Sequence, residues 1–417
     1  MIARRAGPGD RRSLRANVLA VMAVSALAAG AVAQGLAGEL RTIDGRTLRG
    51  VLTVAADGAA TLRDGDTTTV LQLAELVSFA PDGAQRAVVA APHRVWLRSG
   101  LELPALALRG RAAADGRPPL LVAELPCGVA AELPLGFVRA LRHGGSERRE
   151  PPRFAIDFAD PPDNEDVLFV QRDGQSHRSQ VTVTGLTEER IDFLLRGKAY
   201  DFPLVATAGV VFGRNTGFAP DRQERPRAAL SLVTGERLEG RLLALDADVR
   251  LRLDEGAELA LPRTSLHRLE IRSDRLVRLS ELVPQAEQTP AFDRVWPWTN
   301  DGTPGGDGFV IAETTFDHGV GMVPRTRLTY DLGGRFDVFE AMVGIDDRGG
   351  PAAHAVFRVL IDGAVAWQSQ PKTLGEPATP VRVDVAGCRQ LAIECDFGEN
   401  YDLGDFCAWA DARVVQR

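Results

Sequence analysis

Between residues 39 and 80 apolar and polar positions alternate, and the alternation breaks at Asp44-Gly45 before resuming. A period of two on both sides of an x-Gly step is the pattern of a β-hairpin with one buried face. The pattern recurs along the chain. The segments starting at Glu39 (ELRTIDGRTLRG) and at Leu230 (LSLVTGERLEG) run together without gaps. Both hold an x-Gly turn, Asp44-Gly45 and Thr234-Gly235, and a second Gly five positions later, Gly50 and Gly240. Fainter copies surround Ser99-Gly100 and Asp173-Gly174, and each copy reaches an apolar stretch such as VLQLAELVSF or LALPRTSLHRLEI. Self-similarity at this spacing marks repeated supersecondary units.

About five short strands per copy would form small, strongly bent sheets that resemble SH3-like or Sm-like β-barrels. A β-solenoid built from the same hairpins is the other arrangement the pattern allows. The expected division is a targeting segment at 1–33, repeats at 34–90, 91–150, 151–217 and 218–278, and a C-terminal domain at 279–417. Stretches rich in Pro, Arg and acids at 144–153, 157–166 and 218–227 read as solvated linkers.

From about Leu279 the texture changes. Leu328, Tyr330 and Leu332 alternate, as do Phe339, Ala341, Val343 and Ile345. Val359 and Ile361 lead into the turn Asp362-Gly363, which Val365 and Trp367 leave. Val381, Val383 and Val385 share one face, and Leu391, Ile393, Cys395 and Phe397 share another. No sustained period of 3.6 residues occurs, so the fold class is all-β: repeated small barrels or solenoid turns followed by a jelly-roll β-sandwich.

These residues resemble the NPCBM domain, a carbohydrate-binding module found beside catalytic domains of glycoside hydrolase family 98 and other glycosidases. The matching blocks are Gly319-Val320-Gly321, Leu328 to Leu332, Val343 to Asp347, Phe357 to Gly363, and Asp405 with Trp409-Ala410-Asp411-Ala412. The resemblance implies a sandwich that binds glycans, galactose-type or other, without catalysis of its own. Two departures stand out. Met322-Val323-Pro324 and Asp405-Phe406 occupy places where family members commonly carry His. If those His residues support ligand binding, this chain has altered it.

Sugar recognition needs aromatic faces for pyranose C–H surfaces and planar polar side chains for hydroxyls. The candidates are Asp346, Asp347, Asp405, Trp409, Asp411, Trp296 and Trp298. Trp409, at the start of a buried strand, suits the core better than a binding platform. Trp296 and Trp298, flanking Pro297, are better placed for exposure, though packing of this segment onto the sandwich suits them equally, and Asp347 and Asp411 also suit turn caps or pairing with Arg348 or Arg413. The acidic loop holding Asp396, Glu399 and Asp402 offers hard oxygen ligands that suit a structural Ca²⁺, or simply solvation. No other cofactor is expected.

Residues 1–33 combine five Arg, an Ala/Val/Leu stretch and Ala31-Val32-Ala33, the features of a cleaved export signal. Arg11-Arg12 leaves twin-arginine export open. Cleavage would remove five Arg and one Asp and take the net charge from −7 to −11. An acidic exported chain, periplasmic, surface-bound or extracellular, is a poor partner for nucleic acid, and no later run is apolar enough for a membrane helix. In an oxidising compartment two of Cys388, Cys395 and Cys407 could pair, with buried free thiols the equal alternative; Cys395 with Cys407 is the preferred pair, since each falls in a strand of the same domain. Lys198 and Lys372 are the only lysines among 49 basic residues, a bias of composition. Four of the five Trp lie from Trp296 onward, so the two ends of the chain differ in task.

The six His form no HExxH or His-x-His spacing, and neither a Walker loop nor a Gly-x-Ser-x-Gly elbow occurs. The leading expectation is an exported, non-enzymatic glycan-binding protein whose sandwich is carried on a β-repeat stalk or platform. The second is a structural or protein-interaction component of the cell envelope, with envelope proteins as partners. An accessory subunit of a glycosidase ranks below both.

Overall fold

A computed structural model describes residues 35–416 apart from 115, 145–150, 173–174, 215–218, 220–224, 290–294 and 400. The export signal expected at 1–33 lies outside the described residues, as does most of the linker expected at 218–227.

The first unit comprises β1 (Leu36–Thr42), β2 (Thr47–Val54), β3 (Ala59–Asp64), β4 (Thr67–Gln72) and β5 (Leu76–Pro81). The second comprises β6 (His93–Leu97), β7 (Glu102–Ala105), β8 (Ala107–Arg111), β9 (Leu120–Glu124), β10 (Ala130–Pro134) and β11 (Val138–Arg142). The third has β12 (Asp166–Arg172), β13 (Gln175–Leu186), β14 (Arg190–Leu195), β15 (Lys198–Pro203) and β16 (Thr207–Val211). The fourth has β17 (Arg227–Leu232), β18 (Arg237–Leu245), β19 (Asp248–Arg252), β20 (Glu258–Pro262) and β21 (Leu266–Arg272).

In the first unit the strands run β5-β1-β2-β3-β4. The first half of β2 pairs with β1 and the second half with β3, so β2 bends sharply near Gly50. A Cβ at Gly50 would strike the Arg63 carbonyl at 2.5 Å, which explains the glycine. In the second unit the corresponding strand breaks into β7 and β8. Each unit makes one 3₁₀ turn before its last strand, and in three of the four a proline, Pro134, Pro203 or Pro262, stands just before it.

The units join edge to edge through their last strands. β5 pairs antiparallel with β21, placing Phe79 opposite Leu269, and β11 pairs with β16, placing Leu141 opposite Val210. The first unit therefore partners the fourth and the second the third, each pair about a local two-fold axis. The repeats are bent sheets joined at an edge rather than solenoid coils. One apolar core, including Leu40, Leu97, Leu168 and Leu230, runs through all four units.

Two sequence expectations need correction. Phe79 and Leu269 are equivalent, as are Leu40 and Leu230, both buried. The first and fourth copies are thus offset so that Leu40, not Glu39, matches Leu230; a slip of one residue would turn every side chain to the other face. The stretch at 157–166 is also not wholly solvated. Phe154–Ala159 form the one α-helix among the described residues, burying Phe154, while Asp157 accepts a paired contact from Arg178 at 2.7 and 2.8 Å. A single helical turn is too short to register as a period.

The C-terminal part holds β22 (Leu276–Arg278), β23 (Gln285–Gln288), β24 (Thr299–Asn300), β25 (Gly302–Thr303), β26 (Gly306–Asp307), β27 (Phe309–Ile311), β28 (Thr314–Phe316), β29 (Gly319–Met322) and β30 (Thr326–Asp331). It continues with β31 (Val338–Ile345), β32 (His354–Ile361), β33 (Ala364–Gln368), β34 (Lys372–Thr373), β35 (Thr379–Asp384), β36 (Gln390–Phe397) and β37 (Cys407–Val415). One sheet runs β24-β29-β37-β31-β35 with β22 on β37, and the other β23-β30-β36-β32-β33 with β34 on β32. Trp409, Phe339 and Val343 of the first meet Tyr330, Phe357 and Ile393 of the second in one buried core. The Cys395–Cys407 disulfide crosses between the two sheets, the pairing preferred from sequence, and Cys127 and Cys388 are free thiols.

The sandwich rests on the first and fourth units. Ile43 and Val77 pack against Leu276 and Val415. Beside them His318 lies 3.4 Å from Glu270 of β21 and 3.5 Å from Asp301. Burial opposes charge on His318, but the two carboxylates outweigh it and hold its pKa up at about 9. Burial likewise opposes charge on Glu270, yet His318, Arg278 and Arg268 hold it far below the usual carboxylate range.

Candidate functional site

Most acidic residues singled out from sequence serve the backbone. Asp346, fully buried at the end of β31, accepts hydrogen bonds from the Val310 and Arg348 amides and a two-pronged contact from the Arg348 guanidinium at 2.6 and 2.8 Å. Burial works against its charge, and Arg348 with the amides outweighs burial, leaving the carboxyl below its ordinary range. Asp347 accepts from the amides of Ala312 and Glu313 at 2.9 Å and caps the β27–β28 turn, where both residues take positive φ. Asp411 sits at a break in the register of β37 with φ near 50°, its amide donating to the His318 carbonyl.

Trp409 has no exposed surface, and its ring lies against Phe339, Phe357 and Trp367 at centroid distances of 5.5 to 6.4 Å. It is a core residue, unable to offer a face to a sugar. Trp298 is half-buried and also packs against that core, the packed arrangement of the two open to it. Asp405 is buried. One of its oxygens accepts the His354 amide at 2.8 Å and the other has no partner among the described residues. Burial pushes its pKa up to about 6.

One group of predicted residues does meet solvent together. Trp296 is half-buried, its ring edge-on to Phe406 at 6.3 Å, and its carbonyl accepts from Gln288 at 2.8 Å. With Asp402, Val323, Pro324 and Arg325 it lines a water-sized recess at one end of the sandwich. The recess opens beside a groove of about 340 Å³ across β23, β30 and β36, with Thr289, Arg325 and Thr326 common to both. The groove floor is a ladder of paired charges. Arg327 donates to Glu394 at 2.7 and 2.8 Å, Arg358 to Glu394 and Asp396 at 2.6 and 3.0 Å, and Arg325 lies 3.6 Å from Asp396. On its far side Arg325 covers the Phe397 ring at 4.5 Å, and Tyr401, 58% exposed, stands edge-on to Phe397. Rings beside planar, hydrogen-bonding side chains suit a hydroxyl-bearing ligand with apolar C–H faces.

The two positions that depart from the NPCBM pattern fall here. Met322 pairs with Cys407 across β29 and β37, which brings Val323-Pro324 and Phe406 to the same end, against Trp296. Met322 itself is buried. Buried and half-buried apolar side chains thus stand at these positions behind the recess.

Among the described residues, the groups of the acidic loop turn to other partners. Asp396 is engaged by Arg325 and Arg358, Asp402 lines the recess, and the Glu399 amide donates to His354 Nδ1 at 2.9 Å. Among the described residues no three His, Cys, Asp or Glu side chains converge to hold a metal ion. Sequence reasoning missed Arg325, Arg327, Glu394 and Tyr401. Arg327 and Glu394 are outward-facing positions of alternating strands and Arg325 stands just before one, a pattern that marks a solvent face but not which strands adjoin.

The fold and groove define an antiparallel β-sandwich binding module set on a body of paired β-repeats. Residues 275–415 match the model of the NPCBM/NEW2 domain, and the C-terminal sandwich is that domain. Similar solved structures include CBM51-2 with N-acetylglucosamine and INT domains of Clostridium perfringens ZmpB. That match has 20% identity and a TM-score of 0.30 over 40% of this chain and 36% of that one, so this chain spans about a third of its length. The CBM51 module of C. perfringens GH95 in complex with methyl-galactose matches at 23% identity over 34% of this chain and 99% of its own, TM-score 0.30. The tandem CBM51 modules of Sp3GH98 from Streptococcus pneumoniae SP3-BS71 match at 13% identity over 66% and 96%, TM-score 0.31. No curated protein matches the chain. No helix among the described residues is long and apolar enough to cross a membrane.

Proposed function

We propose that this is an exported glycan-binding protein without catalytic activity, in which the repeats form a platform and the sandwich holds the ligand in the groove between Trp296 and Arg327. The observation that carries the reading is the Arg325, Arg327, Glu394 and Asp396 ladder in one open groove, adjoined at Arg325 by the recess that Trp296 lines and by the Phe397 ring that Arg325 covers. The NPCBM/NEW2 match supports it. The ladder carboxylates are ion-paired, which supports binding over proton transfer: neither is placed as a free acid. Export is supported by the signal-like segment at 1–33 and by the intersheet disulfide.

A second reading, a protein-interaction component of the cell envelope, is favoured by the large apolar side chains that meet solvent near this end of the sandwich, Leu403 at 56% and Tyr401 at 58% exposure. The two separate on a glycan array probed with the full-length protein and its Trp296→Ala variant. Signal on galactose-, fucose- or N-acetylhexosamine-bearing glycans that the variant loses supports the first. Silence across the array, with capture of envelope proteins that free sugar fails to displace, supports the second.

A further inference from the structure

Apart from the sandwich groove, the described residues hold a cavity of about 520 Å³ between the second and fourth repeat units. The β6–β7 hairpin contributes Arg94, Leu101, Glu102 and Pro104 to its walls, and the fourth unit contributes Arg227, Arg237, Glu239 and Asp254. Turns on either side fix the two units against each other. Glu236 accepts from the Cys127 amide at 2.6 Å, and Glu255 from the Ser99 amide at 3.2 Å. The walls are built before any ligand arrives, and the volume falls in the range of small-molecule sites.

The charges decide what fits. Arg227 grips Asp254 through two bonds of 2.8 Å and donates to Glu239 at 3.1 Å. Arg94 lies 3.0 Å from Glu102, and Arg237 lies 3.3 Å from Asp317 at the rim of the sandwich. Every guanidinium in the wall already has a carboxylate, so the three Arg and the three lining acids cancel. An anion would have to displace Glu102, Asp254 or Asp317, and a cation would have to displace an arginine; either exchange surrenders a bond already made. A neutral hydroxyl both donates and accepts, so it can use the remaining N–H groups and carboxylate lone pairs and leave the pairs intact. Leu101 and Pro104 give the same cavity an apolar patch for C–H faces.

We propose that this cleft is a second ligand site, separate from the sandwich groove, for a neutral polyhydroxylated molecule of mono- or disaccharide size. The test is hydrogen–deuterium exchange on the full-length protein with millimolar galactose, N-acetylglucosamine or lactose, repeated with the doubly substituted groove variant Trp296→Ala/Arg325→Ala. At least one sugar should slow exchange around residues 99–102 and 237–239, equally in wild type and in the groove variant. That protection should need about tenfold more sugar in Arg237→Ala and in Glu102→Gln, both solvent-facing and checked for unchanged melting. The proposal is overturned if none of the three sugars protects these segments, if protection survives both substitutions, or if sulfate or citrate protects where the sugars do not. Failure of the groove reading alone would appear instead as cleft protection with no response around residues 325–327.

Discussion

At the scale of the residue, Trp409 and Trp296 make opposite uses of the same side chain. Trp409→Ala removes a ring enclosed by three others and is expected to cost about 3–5 kcal/mol in chemical denaturation, whereas Trp296→Ala should cost under about 1 kcal/mol. Asp405 carries a pH signature. Its folded pKa of about 6 lies above the unfolded value, so folding favours the protonated form. Its contribution is complete below about pH 4 and is lost as pH rises through 6, by up to roughly 3 kcal/mol. Asp405→Asn keeps an acceptor for the His354 amide and should flatten stability across that window, followed as urea midpoints from pH 4 to 7. The core role open to Trp409 was readable from its place at the start of an alternating strand. The service of Asp346 to Arg348 and the Val310 amide was not, because short-range pairing and long-range capping look alike as an acidic dipeptide.

At the scale of the element, the disulfide closes a 12-residue separation between β36 and β37 and ties one sheet to the other beside the groove. The Cys395→Ala/Cys407→Ala variant should lose about 2–3 kcal/mol in thermal or chemical unfolding, and a loss near zero would mean the packing alone holds the sheets. Strands and turns were legible because period-two alternation and x-Gly steps are local signals, and the Asp362-Gly363 hairpin forms as expected with Ile361 opposite Ala364. The groove was not legible for the converse reason. Arg327 and Glu394 stand 67 residues apart, and only the register of β30 against β36 makes them neighbours.

At the scale of the whole molecule, the repeats pair first with fourth and second with third, and the sandwich is seated on the first of these pairs through His318, Glu270 and Arg278. Self-similarity revealed the repeats but carried no information about which edges join. The raised pKa of His318 makes the seating pH-dependent. Its stabilisation is present in full below about pH 6.5 and is lost as pH rises through about 9, up to roughly 3 kcal/mol, with His318→Gln insensitive over that range in urea unfolding. The central claim, that the groove on this seated sandwich binds a glycan, is tested most directly by calorimetric titration. The full-length protein and its Arg325→Ala variant would be titrated with the strongest glycan from the array. Removing the guanidinium that spans recess and groove should weaken binding about tenfold or more with melting unchanged; equal affinity in the two proteins would contradict the account.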